Sequence, residues 1–289
     1  MHADLDDLLT ALYVLVDDLL PVRRGAGRRP KITDAELIAL AVAQMFLGIP
    51  NDRQFLALAR WRLSHLFPYL PKQPGYNKRL RSLAPRIGGV ITHLVASSPS
   101  FCDSLRLLDS TPVPCGQSRE TARRSDLVGS AAYGYCKSHH RFFWGYRLYL
   151  LCASDGMPIC FELAPANLPE REVAAEMLRR VDLHGYTVIA DKGFAGEEFE
   201  QIMASFGARF LRPDRKDEPR HHGSLGSIRQ WIESTIWTCK GQLALERHGG
   251  RTVLGVCVRI ALRMLALAAG LTHNQQISDP GRHLAAYGH

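Results

Sequence analysis

Three carboxylates in this chain have neighbours that would mount them rigidly: Asp109, Asp191 and Glu233. Asp109 follows the apolar run Leu105–Leu108 in LRLLDSTPVP, and Asp191 follows Tyr186–Ala190 in YTVIADKGF. Both runs are short and β-prone, which predicts buried strands ending on an acid. Glu233 lies in Ser227–Lys240, SIRQWIESTIWTCK. There Arg229, Glu233 and Lys240 recur at i, i+4 and i+11, one face of a helix at ~100° per residue. Ile228, Ile232, Thr235 and Cys239 make a second face suited to a core. An acid at the end of a core strand is costly to bury without a partner. Two such acids on strands and a third on an anchored helix suggest a shared cation. The helix alone has a plainer reading, an amphipathic segment with an Arg–Glu i,i+4 pair; the rest of the chain must decide.

The surrounding pattern predicts two kinds of structure. Asp4–Leu20 has a helical apolar period that Pro21 stops. Thr33-x-x-Glu36 is a capping box before the run Leu37–Leu47, and Asn51-x-x-Gln54 caps a further helix to about Leu66. The link Gly48-Ile49-Pro50 between them is reminiscent of a helix-turn-helix. Further helices are expected from Asn77–Leu83 and Val90–Ala96. Residues 1–97 therefore read as all-helical, with a boundary near Ser97–Ser100. From Leu105 the period changes. The first strand is expected to end at Asp109, and Gly116–Gly134 reads as a mobile basic loop. Phe142–Cys152 and Pro158–Leu163 are strands around an Asp155-Gly156 turn. Arg171–Leu183, Glu197–Phe206 and Thr252–Leu271 read as helices, and residues 272–289 as a frayed tail. Strand hairpins followed by strand–helix units are an α/β pattern.

The chain has 289 residues, a formal net charge of +8 and a pI of about 9.3. A basic chain of this kind most often meets a polyanion. Its 36 basic residues include only 7 Lys, and Arg suits bidentate phosphate contacts. Candidate contacts are Arg23, Arg24, Arg28, Arg29 and Lys31 in VRRGAGRRPK, then Lys78, Arg79 and Arg81 in NKRLRSL. The seven Cys include no C-x-x-C pair and read as reduced thiols, several of them buried, in a cytoplasmic protein. Met1–Asp7 does not read as a signal peptide. No uninterrupted apolar run of membrane-spanning length is expected, since Arg259 and Arg263 break Val253–Leu271. The pairs His139-His140 and His221-His222 lack helical metal-ligand spacing and read as loop polars. Trp237 points towards the Glu233 face, where it would stack on an unpaired base or, as the commoner case, fill the rim of the core.

DST at Asp109–Thr111, DKGF at Asp191–Phe194, and the spacing of Arg229, Glu233 and Lys240 come in one order with fitting neighbours. With Gly27–Gly48 and Tyr135–Glu170 around them, residues 20–270 resemble the DDE transposases of bacterial insertion sequences, most closely the insertion-sequence 982 group. The resemblance implies a ribonuclease-H-like mixed sheet flanked by helices over 101–271, behind a helical DNA-binding domain over 1–97. It implies Asp109, Asp191 and Glu233 as catalytic and metal-binding acids, with two Mg²⁺ (or Mn²⁺) ions and Asp109 bridging them. Lys240 and Arg229 would touch DNA, or Arg229 would only orient Glu233. The partners implied are transposon terminal inverted repeats and target DNA, met by a homodimer in the bacterial cytoplasm, near the nucleoid and away from membranes. One departure stands out: related families often carry Tyr three residues before the Arg, and this chain has Gly226. Three other readings compete: a nuclease of this fold that cuts without joining, a non-catalytic DNA-binding protein, and a glycosidase. Three acids facing phosphates argue against a pure binder, and a basic chain with 8% aromatics argues against a sugar site.

Overall fold

The computed structural model describes residues 4–21, 30–136, 140–214, 225–277 and 284–288. Five helices come first: α1 (Leu5–Leu19), α2 (Asp34–Phe46), α3 (Asp52–Arg62), α4 (Gln73–Ser82) and α5 (Ala84–Ser97). Then follow β1 (Leu105–Gly116), α6 (Arg119–Arg124), β2 (Ala132–Cys136), β3 (Arg141–Ala153) and β4 (Pro158–Pro165). The remainder is α7 (Glu170–Leu178), β5 (Thr187–Ala190), α8 (Glu197–Ser205), β6 (Arg209–Leu211), α9 (Gly226–Gly241) and α10 (Val253–Gln276). The chain divides into two compact units: residues 1–96 with 238–289, and residues 97–237.

The first unit is helical. The caps form as the sequence requires. Thr33 and Glu36 exchange both bonds of the capping box, and the Asn51 side chain accepts from the N–H groups of Arg53 and Gln54. Nearly every residue of α2 is buried, because α1, α4 and α10 all pack on it. This differs from the sequence division, which put residues up to 271 with the sheet. The apolar surface of α10 finds its partners among the N-terminal helices instead. By length and mean hydropathy α10 would cross a membrane, but 72% of its apolar window is buried within the protein, the mark of a core helix. The expected frayed tail is also corrected. Leu284 and Tyr287 are buried, and the Tyr287 hydroxyl donates to Asn274 Oδ1 at 2.5 Å and meets His273 Nδ1 at 2.8 Å. Two residues suffice to pin that segment, too few to make a periodic signal. α4 and α5 begin earlier than expected, at Gln73 and Ala84; Pro74 and Pro85 lie in their first turns, where a missing N–H costs nothing.

The second unit is a mixed α/β sheet in the order β2-β3-β1-β5-β6, with β4 also on β3. β3 is antiparallel to β1 on one edge. Its other edge is shared in series, by β2 along Arg141–Gly145 and by β4 along Tyr146–Cys152. β5 and β6 continue the sheet in parallel from β1. Residues 143–153 of β3 are buried without alternation because both edges and both faces are covered. This is the ribonuclease-H-like arrangement expected from the sequence. Leu108, Tyr149, Leu151, Val188 and Ala190 face α7 and α8, packing on Ala174, Met177, Leu178, Phe199 and Met203. Since side chains alternate along a strand, Asp109 faces the opposite side.

Two expectations fail here. β1 does not stop at Asp109 but runs to Gly116. Its prolines, Pro112 and Pro114, pair with β3 on one edge, and β5 has already ended on the other, at the level of Leu108. On that open edge a missing N–H leaves no acceptor stranded. The stretch 116–134, expected as a loop, contains α6 and the start of β2; Ala122, Leu127 and Ala131 are buried, and Cys136 at the end of β2 packs with Phe143 and Ala166. Gly145 stands where β1 and β3 shift register: a Cβ there would lie 2.3 Å from the Val113 carbonyl oxygen and 2.9 Å from the Cys115 nitrogen. Both are backbone atoms of the central strand and cannot turn aside. Gly145→Ala should therefore destabilise the protein by about 3 kcal/mol or more. Urea denaturation followed by circular dichroism would register it, and a loss below ~1 kcal/mol would refute the close approach.

Candidate active site

Parallel pairing sets the first two acids side by side. Leu108 is level with Ala190, so the residues that follow, Asp109 within β1 and Asp191 just past the end of β5, stand side by side. Adjacent strands lie about 4.8 Å apart. Each carboxylate accepts the N–H of the following residue: Asp109 Oδ1 from Ser110 at 2.7 Å, Asp191 Oδ1 from Lys192 at 2.7 Å. The Oδ2 atoms have no protein partner among the described residues.

The third acid comes from α9. Its apolar face buries Ile232, Thr235, Ile236 and Cys239, which leaves Arg229 and Glu233 on the outer side, as the helical period requires. The Arg229 guanidinium lies 3.2 Å from Glu233 Oε1 and 3.2 Å from Asp191 Oδ1. Twice that distance is the most that can separate those two oxygens. Arg229 thus joins the acid of α9 to the acid of β5.

Asp109 is partly buried. Burial pushes its carboxyl up to about 7; the Ser110 N–H and Arg229 pull it down, while the charges of Asp191 and Glu233 push it up further. The acids therefore share one electrostatic neighbourhood. The sequence anticipated a cation among them, and in the described structure that positive charge belongs to Arg229. Among the described residues no set of three or more His, Cys, Asp or Glu side chains is arranged to hold a metal ion. The donor chemistry nonetheless fits one. Three carboxylates offer hard oxygens only, the Oδ2 atoms of both aspartates are open, and hard divalent cations prefer such ligands and retain water.

A layer of support lies beneath the acids that the sequence reading missed. Arg147 of β3 pairs with Glu170 Oε1 at 2.6 Å, and Ser110 donates to the same oxygen at 3.3 Å. Arg171 donates to the Ala195 carbonyl at 3.1 Å, and its guanidinium occupies the space a side chain at Gly196 would need. The first turn of α7 thereby braces both the strand of Asp109 and the turn after Asp191. The signal was present in FFWGYRLYLL: one arginine in the middle of a buried strand must have a partner.

The remaining candidates are scattered. Lys240 belongs to the helical unit and pairs with Glu246 at 3.2 Å. Arg79 turns inward, donating to the Ile32 carbonyl and to Asp34. Lys31 lies over the Tyr69 ring, 5.3 Å from its centre, while Lys78 and Arg81 are exposed. Arg23, Arg24, Arg28 and Arg29 fall outside the described residues, as do His139, His221 and His222. Trp237 does not fill the rim of the core: it is 73% exposed, because the buried face of α9 passes through Ile236 and Cys239 instead. All seven cysteines are free thiols; Cys102 and Cys257 are exposed rather than buried.

Residues 100–269 match the family described as the transposase DDE domain, a span that contains Asp109, Asp191 and Glu233. The chain belongs to that family. It is thus a DDE transposase, of a family of metal-dependent enzymes that act on DNA. No curated protein matches the transposase. Among solved structures, one of a piggyBac transposase synaptic complex with hairpin DNA aligns with 94% of this chain and 79% of that one. The identity is 8% and the TM-score 0.42, too loose a likeness to carry any argument.

Proposed function

We propose that this transposase cuts the ends of an insertion sequence of the 982 kind and joins the freed 3′-hydroxyl to target DNA. The observation that carries the reading is the junction at Arg229, which touches Asp191 and Glu233 while Asp109 senses all three charges. Asp109, Asp191 and Glu233 would hold two Mg²⁺ (or Mn²⁺) ions. When bound, such ions supply the positive charge that the attacking and leaving oxygens of a phosphodiester require. The braced strand and turn hold the two aspartates, so little reorganisation is needed when the charge changes. Water would attack the phosphorus at the transposon end and displace the 3′-hydroxyl; that hydroxyl would then attack a phosphorus of the target strand, breaking its bond to the target's own 3′-oxygen, which leaves as a hydroxyl. The helical residues 1–97 would bind the terminal repeats, and a homodimer would hold two ends at once.

Arg229 would leave one or both acids when metal enters and turn to a DNA phosphate. Arg229→Ala should then bind Mg²⁺ or Mn²⁺ several-fold more tightly, because its charge no longer competes for Asp191 and Glu233, and bind duplex DNA more weakly. Calorimetric Mn²⁺ titration and a DNA-binding isotherm read the two effects; unchanged metal affinity would mean that Arg229 and metal do not compete. The function itself is tested with a plasmid bearing the coding sequence and its flanking DNA. Joined products in Mg²⁺ support a transposase that completes transfer, whereas cut ends without joining would favour the nuclease reading. Gly226, at the position where related families often carry Tyr, makes that alternative worth separating.

A further inference from the structure

The helical unit contains a cavity of about 730 Å³ between the start of α3, the length of α4 and the approach to α10. Four arginines line it: the buried Arg259 of α10, and three exposed ones, Arg53 at the start of α3, Arg81 near the end of α4 and Arg251 just before α10. None of the three exposed arginines has an ion pair among the described residues. The acid in the lining, Asp52, is already neutralised. It is paired with the buried Arg259, and accepts from Asn77 at 2.7 Å and Gln44 at 2.9 Å. Arg259 also donates to Gln44 and Asn77, each at 3.1 Å, and the buried Tyr76 hydroxyl donates to Gln44 at 2.9 Å. The floor is therefore a closed network tying α2, α3, α4 and α10 together, while the rim carries three uncompensated positive charges.

We infer that this cavity is a clasp for the DNA phosphate backbone, in which Arg251, ahead of α10, acts with Arg53 and Arg81. The inference rests on the transposase reading and adds to it a specific surface. Charge favours a polyanion: exposed arginines of α3, of α4 and of the segment before α10 line one cavity, and arginine suits phosphate oxygens. Arginine presents a fork matched to phosphate oxygens, and the starts of α3 and α10 add their positive dipole ends. The N–H groups of Arg53, Gln54 and Gly255 are already taken by Asn51 and Thr252, so the guanidinium groups supply the contacts. Phosphate contacts of this kind carry no sequence information, so the clasp fixes position and strength rather than choice of sequence.

The test uses the full chain and two labelled duplexes, one from the DNA flanking the coding sequence and one of scrambled sequence, across a range of salt concentrations. Each of Arg53→Ala, Arg81→Ala and Arg251→Ala should weaken both duplexes by a similar factor. Each should also reduce the slope of log affinity against log salt by about 0.9, the counterions released per phosphate contact. Arg251→Lys should restore the slope, which a lost structural contact would not do. All three residues are exposed, so melting temperatures should stay close to the parent's, and the Lys variants keep the test valid if an Ala variant folds poorly. A triple variant with the parent's slope and affinity would overturn the inference while leaving the transposase reading intact. Failure of the parent to bind either duplex at low salt would instead sink that reading. Inorganic phosphate provides the last arm. If millimolar phosphate raises the parent's melting temperature but not the triple variant's, and the salt slope is the same for both, the cavity holds a small anion and the DNA clasp is wrong.

Discussion

Asp109→Asn should abolish cleavage, lowering the rate of nicking at a transposon end on the order of 10³-fold or more. The substitution keeps the shape of the side chain and the acceptor for the Ser110 N–H, but removes the carboxylate. It should not unfold the protein. Burial already raises the Asp109 carboxyl to about 7, so ionising it at higher pH costs the fold energy that a neutral amide does not. The expected result is thus a folded, DNA-binding, inactive protein, seen with a labelled duplex in Mg²⁺ beside a thermal melt. Normal nicking by the variant would remove Asp109 from the chemistry.

The same carboxyl predicts an unusual dependence of stability on pH in protein stripped of metal. The folded chain keeps the Asp109 proton until about pH 7, whereas an unfolded chain releases it near 4. Across that window the native state holds the extra proton, so this group's contribution to stability declines as pH rises and levels off above it. The loss is on the order of a few kcal/mol at most, since a tenfold change in proton affinity corresponds to about 1.4 kcal/mol. Urea midpoints of the parent and Asp109→Asn in EDTA, taken from pH 4.5 to 8, read it, because titrations away from the acid cluster cancel in the difference. The variant should gain on the parent up to about pH 7 and hold that lead beyond. Mg²⁺ at pH 8 should restore the parent alone. A difference that does not change with pH would mean that Asp109 is not in a costly environment.

The acids were legible because each lies where a local period ends or repeats: Asp109 and Asp191 after β-prone runs, Glu233 on the polar face of a helix. Capping pairs and the Asp155-Gly156 turn were legible for the same reason, as they depend on residues a few positions apart. What could not be read depends on distant partners. β1 continues past Asp109 because β3 pairs with it, although its prolines suggest an interruption. Arg229 looks like half of an ordinary helical ion pair until β5 brings Asp191 to its other side. Tyr287 follows a polar segment, and only His273 and Asn274 explain its burial. The long α10 follows the sheet region in sequence but packs with α1, α2 and α4, since apolar surface carries no label saying which core it joins.

The most direct measurement is a crystal of the protein grown with Mn²⁺ and examined by anomalous scattering. One or two strong peaks are expected, ligated by the carboxylates of Asp109, Asp191 and Glu233, with the Arg229 guanidinium displaced from at least one acid. Saturating Mn²⁺ with no peak at these residues, and Arg229 still bridging Asp191 and Glu233, would contradict it.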